Sequence, residues 1–285
     1  MKLVLKNSDN PITKKLNIHR RDVPCLDAAW HYHPEIELLY ISQSNGIRFV
    51  GDSVEPFYPG DLVLVGSYLP HLWRNDPSYY KEGSVQKVKT IVTKFTKDFL
   101  GNDLFKVPEF AEINNLLEEA KFGICFGENA GERLHSDIIK LPELPPIEQQ
   151  LKLLNILYEL SKVKEKKILS SSDMRQSTTE SSERIDTVLK YISDNYASNI
   201  SLDDIANVAC MTTNSFCRFF KKTTNKSFTQ FLNEIRIRNA SRLLIQDNSP
   251  VSEVCYIVGF NSITNFNKQF KQIMGVTPKG FREAI

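Results

Sequence analysis

Residues 201–225 read SLDDIANVACMTTNSFCRFFKKTTN, and this stretch decides how the rest of the chain is understood. Ser201 can open a short helix because Asp204, three residues on, can return the bond of a capping box. Leu202, Ile205, Ala206 and Ala209 recur on one apolar face. Cys210, Met211 and Thr212 then make a tight corner, and the Thr212 hydroxyl can cap the next helix. That helix is expected from 213 to about 224, with Phe216 and Phe220 one turn apart on its inner face and Phe219 beside them. Asn214, Arg218, Lys221 and Asn225 fall at i, i+4, i+7 and i+11 on the opposite face. A short helix, a tight turn and a basic-faced second helix form a helix-turn-helix pattern.

A second copy follows. At an offset of 49, Leu202, Asp204, Ile205, Ala206, Ala209 and Met211 match Val251, Glu253, Val254, Cys255, Val258 and Phe260. The turn then gains one residue, and at an offset of 50 Phe216, Arg218, Phe220, Lys221 and Asn225 match Phe266, Lys268, Phe270, Lys271 and Gly275. Between the copies, Phe228, Phe231, Leu232, Ile235, Leu243 and Leu244 mark a connecting helix ending near Gln246, about 28 Å long at about 1.5 Å per residue. Two recognition helices would thereby stand roughly one DNA turn apart. The candidate DNA contacts are Thr213, Asn214, Arg218, Lys221 and Lys222 in the first copy, and Ile263, Thr264, Asn267, Lys268 and Lys271 in the second. Arg218 and Lys268 can reach guanine O6 and N7, whereas Lys221 and Lys271, nearer the helix ends, suit phosphate.

These residues resemble the paired helix-turn-helix domain of AraC-type bacterial transcription regulators. The resemblance covers residues 184–285, through "SLDDIANVACMTTNSFCRFFKK" and "SPVSEVCYIVGFNSITNFNKQFKQIMGVTPKGFR". Asn225 stands where the family usually has Gly, and Asn is the next-best residue for a left-handed helix end. The resemblance implies double-stranded DNA as a partner, with RNA polymerase, a small effector and a second copy of the chain as further partners.

Working outward, 285 residues suggest two domains,. With no run of eighteen apolar residues and no opening signal peptide, the chain is expected to be soluble and cytoplasmic, with no membrane contact. Cys25, Cys125, Cys210, Cys217 and Cys255 are odd in number and scattered, as suits reduced thiols. The net charge of +2 is unevenly spread: −3 over residues 1–145, zero over 146–183, and +5 over 184–285 from 13 basic and 8 acidic residues. The basic excess falls on the stripes of both second helices, which favours phosphate contact over a merely solvated face.

The first 145 residues carry short β-rich runs, ELLYI, IRFV, DLVLV and VKTIV, broken at Asn45-Gly46, Gly51-Asp52 and Pro59-Gly60, as in a small barrel or sandwich. His31, His33 and Glu37 have even separations, so a continuous strand would place all three on one face. His71 and Trp73 share a face on a later strand. The arrangement resembles the cupin barrel: His31, His33 and Glu37 meet its first motif, H-x-H-x-x-x-E, and Gly60, His71 and Asn75 match its second in part. Gly66 and Tyr68 stand where that second motif has Pro and Gly, and Pro34 interrupts the first. Three His and one Glu suit Fe, Mn or Zn, but in AraC-type regulators the barrel usually serves as an effector pocket. We therefore expect no metal and no cofactor. A small effector, in one form a sugar, would meet Trp73 with His31, His33, Glu37 and His71 as polar partners; Trp73 as plain core is the competing reading.

After the barrel, EFAEINNLLEEA and IEQQLKLLNILYELSKV have helical periodicity, the second with Leu151, Leu154, Leu157, Tyr158 and Val163 on one side. Such a helix can cover its own barrel or pair with a second subunit. Residues 170–183, SSSDMRQSTTESSE, read as a flexible polar linker. The expected fold is an α+β two-domain chain: a cupin-like β-barrel over 1–145, a helical segment over 146–169 that can dimerise, the linker, and an all-α domain with two helix-turn-helix motifs over 184–285. The expected function is DNA-binding transcription regulation under control of a small effector. The alternatives are a metal-dependent cupin enzyme fused to a DNA-binding tail, and a DNA-binding architectural protein with a structural barrel.

Overall fold

The computed structural model describes residues 15–26, 29–126, 128–173, 179–246 and 249–283. They form two compact units, one within residues 15–173 apart from Val54–Pro56, and the other over residues 179–283. The first contains β1 (Leu16–Val23), β2 (Ile36–Gln43), β3 (Gly46–Val50), β4 (Ser53–Phe57), β5 (Leu62–Val65), β6 (His71–Asn75) and β7 (Val88–Phe95). Then come α1 (Ala111–Glu119), β8 (Ile124–Phe126), α2 (Glu128–Lys140), α3 (Pro146–Ser161) and β9 (Lys166–Ile168). The strands make a six-stranded sheet in the order β1-β7-β2-β5-β8-β9 and a three-stranded sheet in the order β4-β3-β6.

Strand alternation sorts the apolar residues into two cores. Leu38, Tyr40, Leu62, Leu64, Ile91 and Phe95 point from the large sheet into a core shared with the helices. Leu39, Ile41, Val63, Val65 and Val92 point the other way, into a core shared with Val50, Phe57 and Trp73 of the small sheet. Both faces of β2 are therefore covered, which is why ELLYI is apolar without alternation. The expected barrel takes the form of two antiparallel sheets packed face to face.

Several expectations need correction. His31, His33 and Glu37 do not lie on one continuous strand: β2 begins only at Ile36, and His31 forms an isolated bridge to His71. Pro34, which has no amide hydrogen, stands in the break. In α3 the buried residues are Leu153, Ile156, Leu157 and Leu160, while Leu151 and Tyr158 are exposed. The helix is apolar enough to offer two stripes of helical period, and packing on α1 selects the other one. The segment over 146–169 is not wholly helical, because β9 pairs with β8 at the edge of the large sheet. Nor is the start of the linker loose: the Asp52 carboxylate accepts hydrogen bonds from Ser170 Oγ (3.1 Å), Ser171 N (2.8 Å) and Ser171 Oγ. At its other end α4 already begins at Thr179, and residues 174–178 lie outside the described residues.

The second unit comprises α4 (Thr179–Asn195), α5 (Leu202–Val208), α6 (Thr213–Thr224), α7 (Phe228–Gln246), α8 (Val251–Ile257), α9 (Ile263–Met274) and α10 (Pro278–Glu283). Both helix-turn-helix pairs pack on α7. Phe220 stacks edge-on against Phe228 and Phe231, at 6.1 and 5.2 Å, near its start. Phe266 and Phe270 share a core with Ile237, Ala240 and Leu244 near its end. Arg236 in the middle of α7 donates to the Tyr196 and Ser198 carbonyls at 2.7 and 2.8 Å. Among the described residues no helix is long and apolar enough to cross a membrane, and the five cysteines are unpaired.

Candidate nucleic-acid interface and a buried histidine cluster

The two helix-turn-helix pairs are built alike, residue by residue. Ser201 and Asp204 make the reciprocal capping box that opens α5. Thr212 caps α6 by accepting from Ser215 N, and Ser262 caps α9 by accepting from Asn265 N. The turns reverse direction at Cys210 (φ 52°) and Gly259 (φ 88°), and the recognition helices end at Asn225 (φ 57°) and Gly275 (φ 80°), all left-handed. At Gly259 only glycine fits, since a Cβ there would lie 2.5 Å from the Ala197 carbonyl oxygen,. Leu202, expected on the inner face of α5, is instead exposed.

Phe216, Phe220, Phe266 and Phe270 are fully buried, which turns the opposite faces of α6 and α9 to solvent. Asn214, Arg218, Lys221 and Lys222 are exposed on α6; Thr264, Asn267, Lys268 and Lys271 are exposed on α9. Thr213 and Ile263 are half-buried at the helix starts, and the Thr213 hydroxyl is engaged by Asp203 at 2.6 Å. Cys217, which the sequence reading passed over, is also exposed between Asn214 and Lys221; helical spacing alone would have placed it there,. Apart from Thr213 and Ile263, the sequence-expected contacts thus form one polar stripe on each recognition helix.

In the first unit, His31, His33, Glu37 and His71 come together, each offering one ligand atom within 4.8 Å of the others. His31 and His33 arrive on the segment before β2, Glu37 on the inner face of β2, and His71 at the head of β6. Trp73, two residues on, packs edge-on to His71 at 5.7 Å and belongs to the inter-sheet core. Asn75, the other residue of the second cupin-like motif, is not part of the cluster; it bonds Leu26 N and Ser44 Oγ. The sequence reading missed Lys94, whose Nζ lies 3.3 Å from Glu37 Oε2. Its signal was parity: Thr90, Val92 and Lys94 share the inward face of β7.

Burial sets the electrostatics of the cluster. It lowers His31 to about 4, with His33 and Lys94 adding to the effect against Glu37 and the Ala29 carbonyl. Burial, then the neighbouring His31, holds His71 well below the ordinary imidazole range. For Glu37 burial acts upward, but the His33 hydrogen bond and the charges around it prevail, so the carboxyl stays well below its usual range. The His33 bond at 3.0 Å, then the neighbouring His71 and Lys94, are what hold the Glu37 carboxyl down against its burial. A cavity of about 30 Å³ beside the cluster is lined by Arg21, His31, Glu37, Trp73, Thr90 and Lys94 among others. That volume holds two or three waters.

A family described as a helix-turn-helix domain matches residues 205–284. The chain is 24% identical over 258 residues to an HTH-type transcriptional regulator of Bacillus subtilis, YdeC, covering 89% of this chain and 85% of that protein. It is 27% identical over 114 residues to the Msm operon regulatory protein of Streptococcus mutans, covering 40% of this chain and 41% of that one. Among solved structures, ToxT from Vibrio cholerae is similar over 95% of this chain and 99% of its own, at 14% identity and a TM-score of 0.37. The matched domain coincides with the duplicated, capped and basic-faced helix pairs described above, and over most of its length the chain is similar to an HTH-type transcriptional regulator.

Proposed function

We propose that the chain binds a specific double-stranded DNA site through α6 and α9, with Arg218 and Lys268 reading base edges and Lys221 and Lys271 meeting phosphates. The observation that carries this reading is the pair of exposed stripes, Asn214–Arg218–Lys221 and Thr264–Lys268–Lys271, borne on two helices of the same construction. The first unit is read as the sensor of a small effector, taken up between its two sheets. Its cavity of about 30 Å³ falls far short of the 300 Å³ or more of ordinary organic-ligand pockets, so a sugar would need the sheets to part,. The same lack of room disfavours a fused cupin enzyme. A dimer formed through the outward face of α3, where Ile147, Leu151 and Tyr158 are exposed, accompanies this reading.

The test is selection of bound DNA from a random pool by the full-length chain, followed by affinity measurements on the selected site and on unrelated DNA. Arg218→Ala should cost about 1–3 kcal/mol on the selected site and relax preference at one base position. Lys221→Ala should weaken both DNAs alike and reduce the salt slope by about 1. Equal loss on both DNAs for Arg218→Ala would overturn the assignment of roles.

A further inference from the structure

A concave surface of the first unit lies between α2 and the connection from α3 to β9, with a volume of about 290 Å³. That is roughly tenfold the cavity beside the histidine cluster, and it stands at the lower end of the range that holds small organic ligands, about 300–1,000 Å³,. Its floor is apolar and fixed: Ala130 is buried in the helix-side core, and Val163 packs against the same core. The connection is held by two tight backbone bonds, from Val163 N to the Leu160 carbonyl at 3.2 Å and from Lys166 N to the Lys164 carbonyl at 3.1 Å.

The rim is cationic. Arg133 comes from α2, Lys162 and Lys164 come from the connection, and Glu165 is the one carboxylate among them. Three cations less one carboxylate leave a net +2 on the lining, in a chain whose residues 1–145 sum to −3 and whose residues 146–183 sum to zero. Protection of a sheet edge is the ordinary role of lysines on an outer strand, and it accounts for Lys166 and Lys167, which lie on β9,. It does not account for Arg133, Lys162 or Lys164, which lie outside the strand. Arg133 and Lys162 share the Glu159 carboxylate at 4.0 and 3.5 Å, and ion pairs as solvated as these contribute little,. Lys162 also stands 3.5 Å over the Tyr158 ring, which limits where its ammonium can go,.

We propose that this cavity binds a phosphate monoester of a small organic molecule, with Arg133, Lys162 and Lys164 around the phosphate and the organic part over Ala130 and Val163. The binding stands apart from the reading of the chain as a DNA-binding regulator. Charge and shape select this class. A phosphate monoester carries about −1.5 to −2 charges near pH 7 and three acceptor oxygens, which matches a net +2 spread over three cations. The fork of Arg133 can hold two of those oxygens at once, and the ammonium groups meet the third as point charges. Inorganic phosphate leaves most of the volume and the apolar floor unused. A neutral sugar or nucleoside leaves the cations without a counter-charge. Because the cations are exposed, binding is modest and weakens as salt is added,.

The test is isothermal titration calorimetry of the full-length protein at low salt. Glucose 6-phosphate and AMP are the probes, with glucose, adenosine and inorganic phosphate as their separate halves. We expect one site per chain for at least one ester, with a dissociation constant of about 1 mM or below, and at least about tenfold weaker binding of its two halves. Whichever ester binds more tightly assigns the organic part to a sugar or to a nucleoside. Arg133→Gln and Lys164→Gln should each weaken that binding at least about fivefold and leave the unfolding temperature unchanged, since both side chains are exposed,. Lys106→Gln, an exposed lysine elsewhere in the same unit, should change nothing. Folded protein that binds neither ester, or binding indifferent to both Arg133→Gln and Lys164→Gln, overturns the site. Inorganic phosphate held as tightly as the ester overturns the organic ligand. If no ester binds, and Arg133→Gln/Lys164→Gln lowers the salt slope on selected DNA by about 2, the cations serve the DNA backbone and the proposal falls.

Discussion

Inserting about 5 bp between the two DNA boxes contacted by one chain should abolish tight binding, and inserting a full turn of about 10 bp should fail to restore it. The connecting helix α7 is 19 residues of unbroken helix and therefore about 28 Å long,. Phe216 and Phe220 lock α6 to its first turns through Phe228 and Phe231. Phe266 and Phe270 lock α9 to its last turns through Ile237, Ala240 and Leu244. Moving one recognition helix relative to the other means opening one of these cores, and losing a buried Phe contact set costs about 3–5 kcal/mol. Letting the second helix leave the DNA costs about 1–3 kcal/mol for the Lys268 base contact and about as much again for its phosphate contacts, or roughly 2–6 kcal/mol in all. The two costs are similar, so neither route recovers the affinity. A loss of roughly 10²- to 10⁴-fold should be measured by fluorescence anisotropy on the selected site at fixed salt, for both insertions. Full recovery at the full-turn insertion would refute the idea that α7 fixes the geometry.

The remaining predictions concern single residues. Asn225→Gly should leave stability unchanged or raise it slightly, whereas Asn225→Ala should lower it by about 1 kcal/mol, because φ is 57° there; thermal unfolding reads both,. Asp52→Ala should release Ser170 and Ser171 and make the chain cleavable at that point by dilute protease, while DNA affinity is retained; unchanged resistance would show that the serines are held by other contacts,. Leu151→Glu should leave the fold intact, since Leu151 is 58% exposed, and should abolish any dimer seen by sedimentation; a dimer of undiminished strength would move the interface elsewhere,.

The helices of the second unit were determined by the sequence itself, because the interactions that make them are local. Ser201 with Asp204, Thr212 with Ser215 and Ser262 with Asn265 are caps spanning three residues, and the Phe pairs one turn apart select the inner faces,. The repeat of this pattern set the whole duplicated architecture, down to the left-handed ends at Asn225 and Gly275. In the first unit the strands that alternate or run apolar were legible, but α2 was not. Its Gly131, a poor helix former, sits against Gly60, so closely that a Cβ would lie 2.1 Å from the Gly60 carbonyl oxygen; that is a contact between distant residues,.

Tertiary structure decided the rest, for the same physical reason. Even spacing placed His31, His33 and Glu37 on one face of a strand that does not exist; they converge because the bridge between His31 and His71 folds the segment back across Pro34. Lys94 enters the site only through the β2–β7 register, and α3 buries Leu153, Ile156, Leu157 and Leu160 because of what it packs against. Ser170 reads as linker until Asp52, 118 residues away, binds it. A local pattern encodes interactions within a turn or two of helix, whereas a site assembled from three strands and a loop depends on register and packing that no single stretch contains.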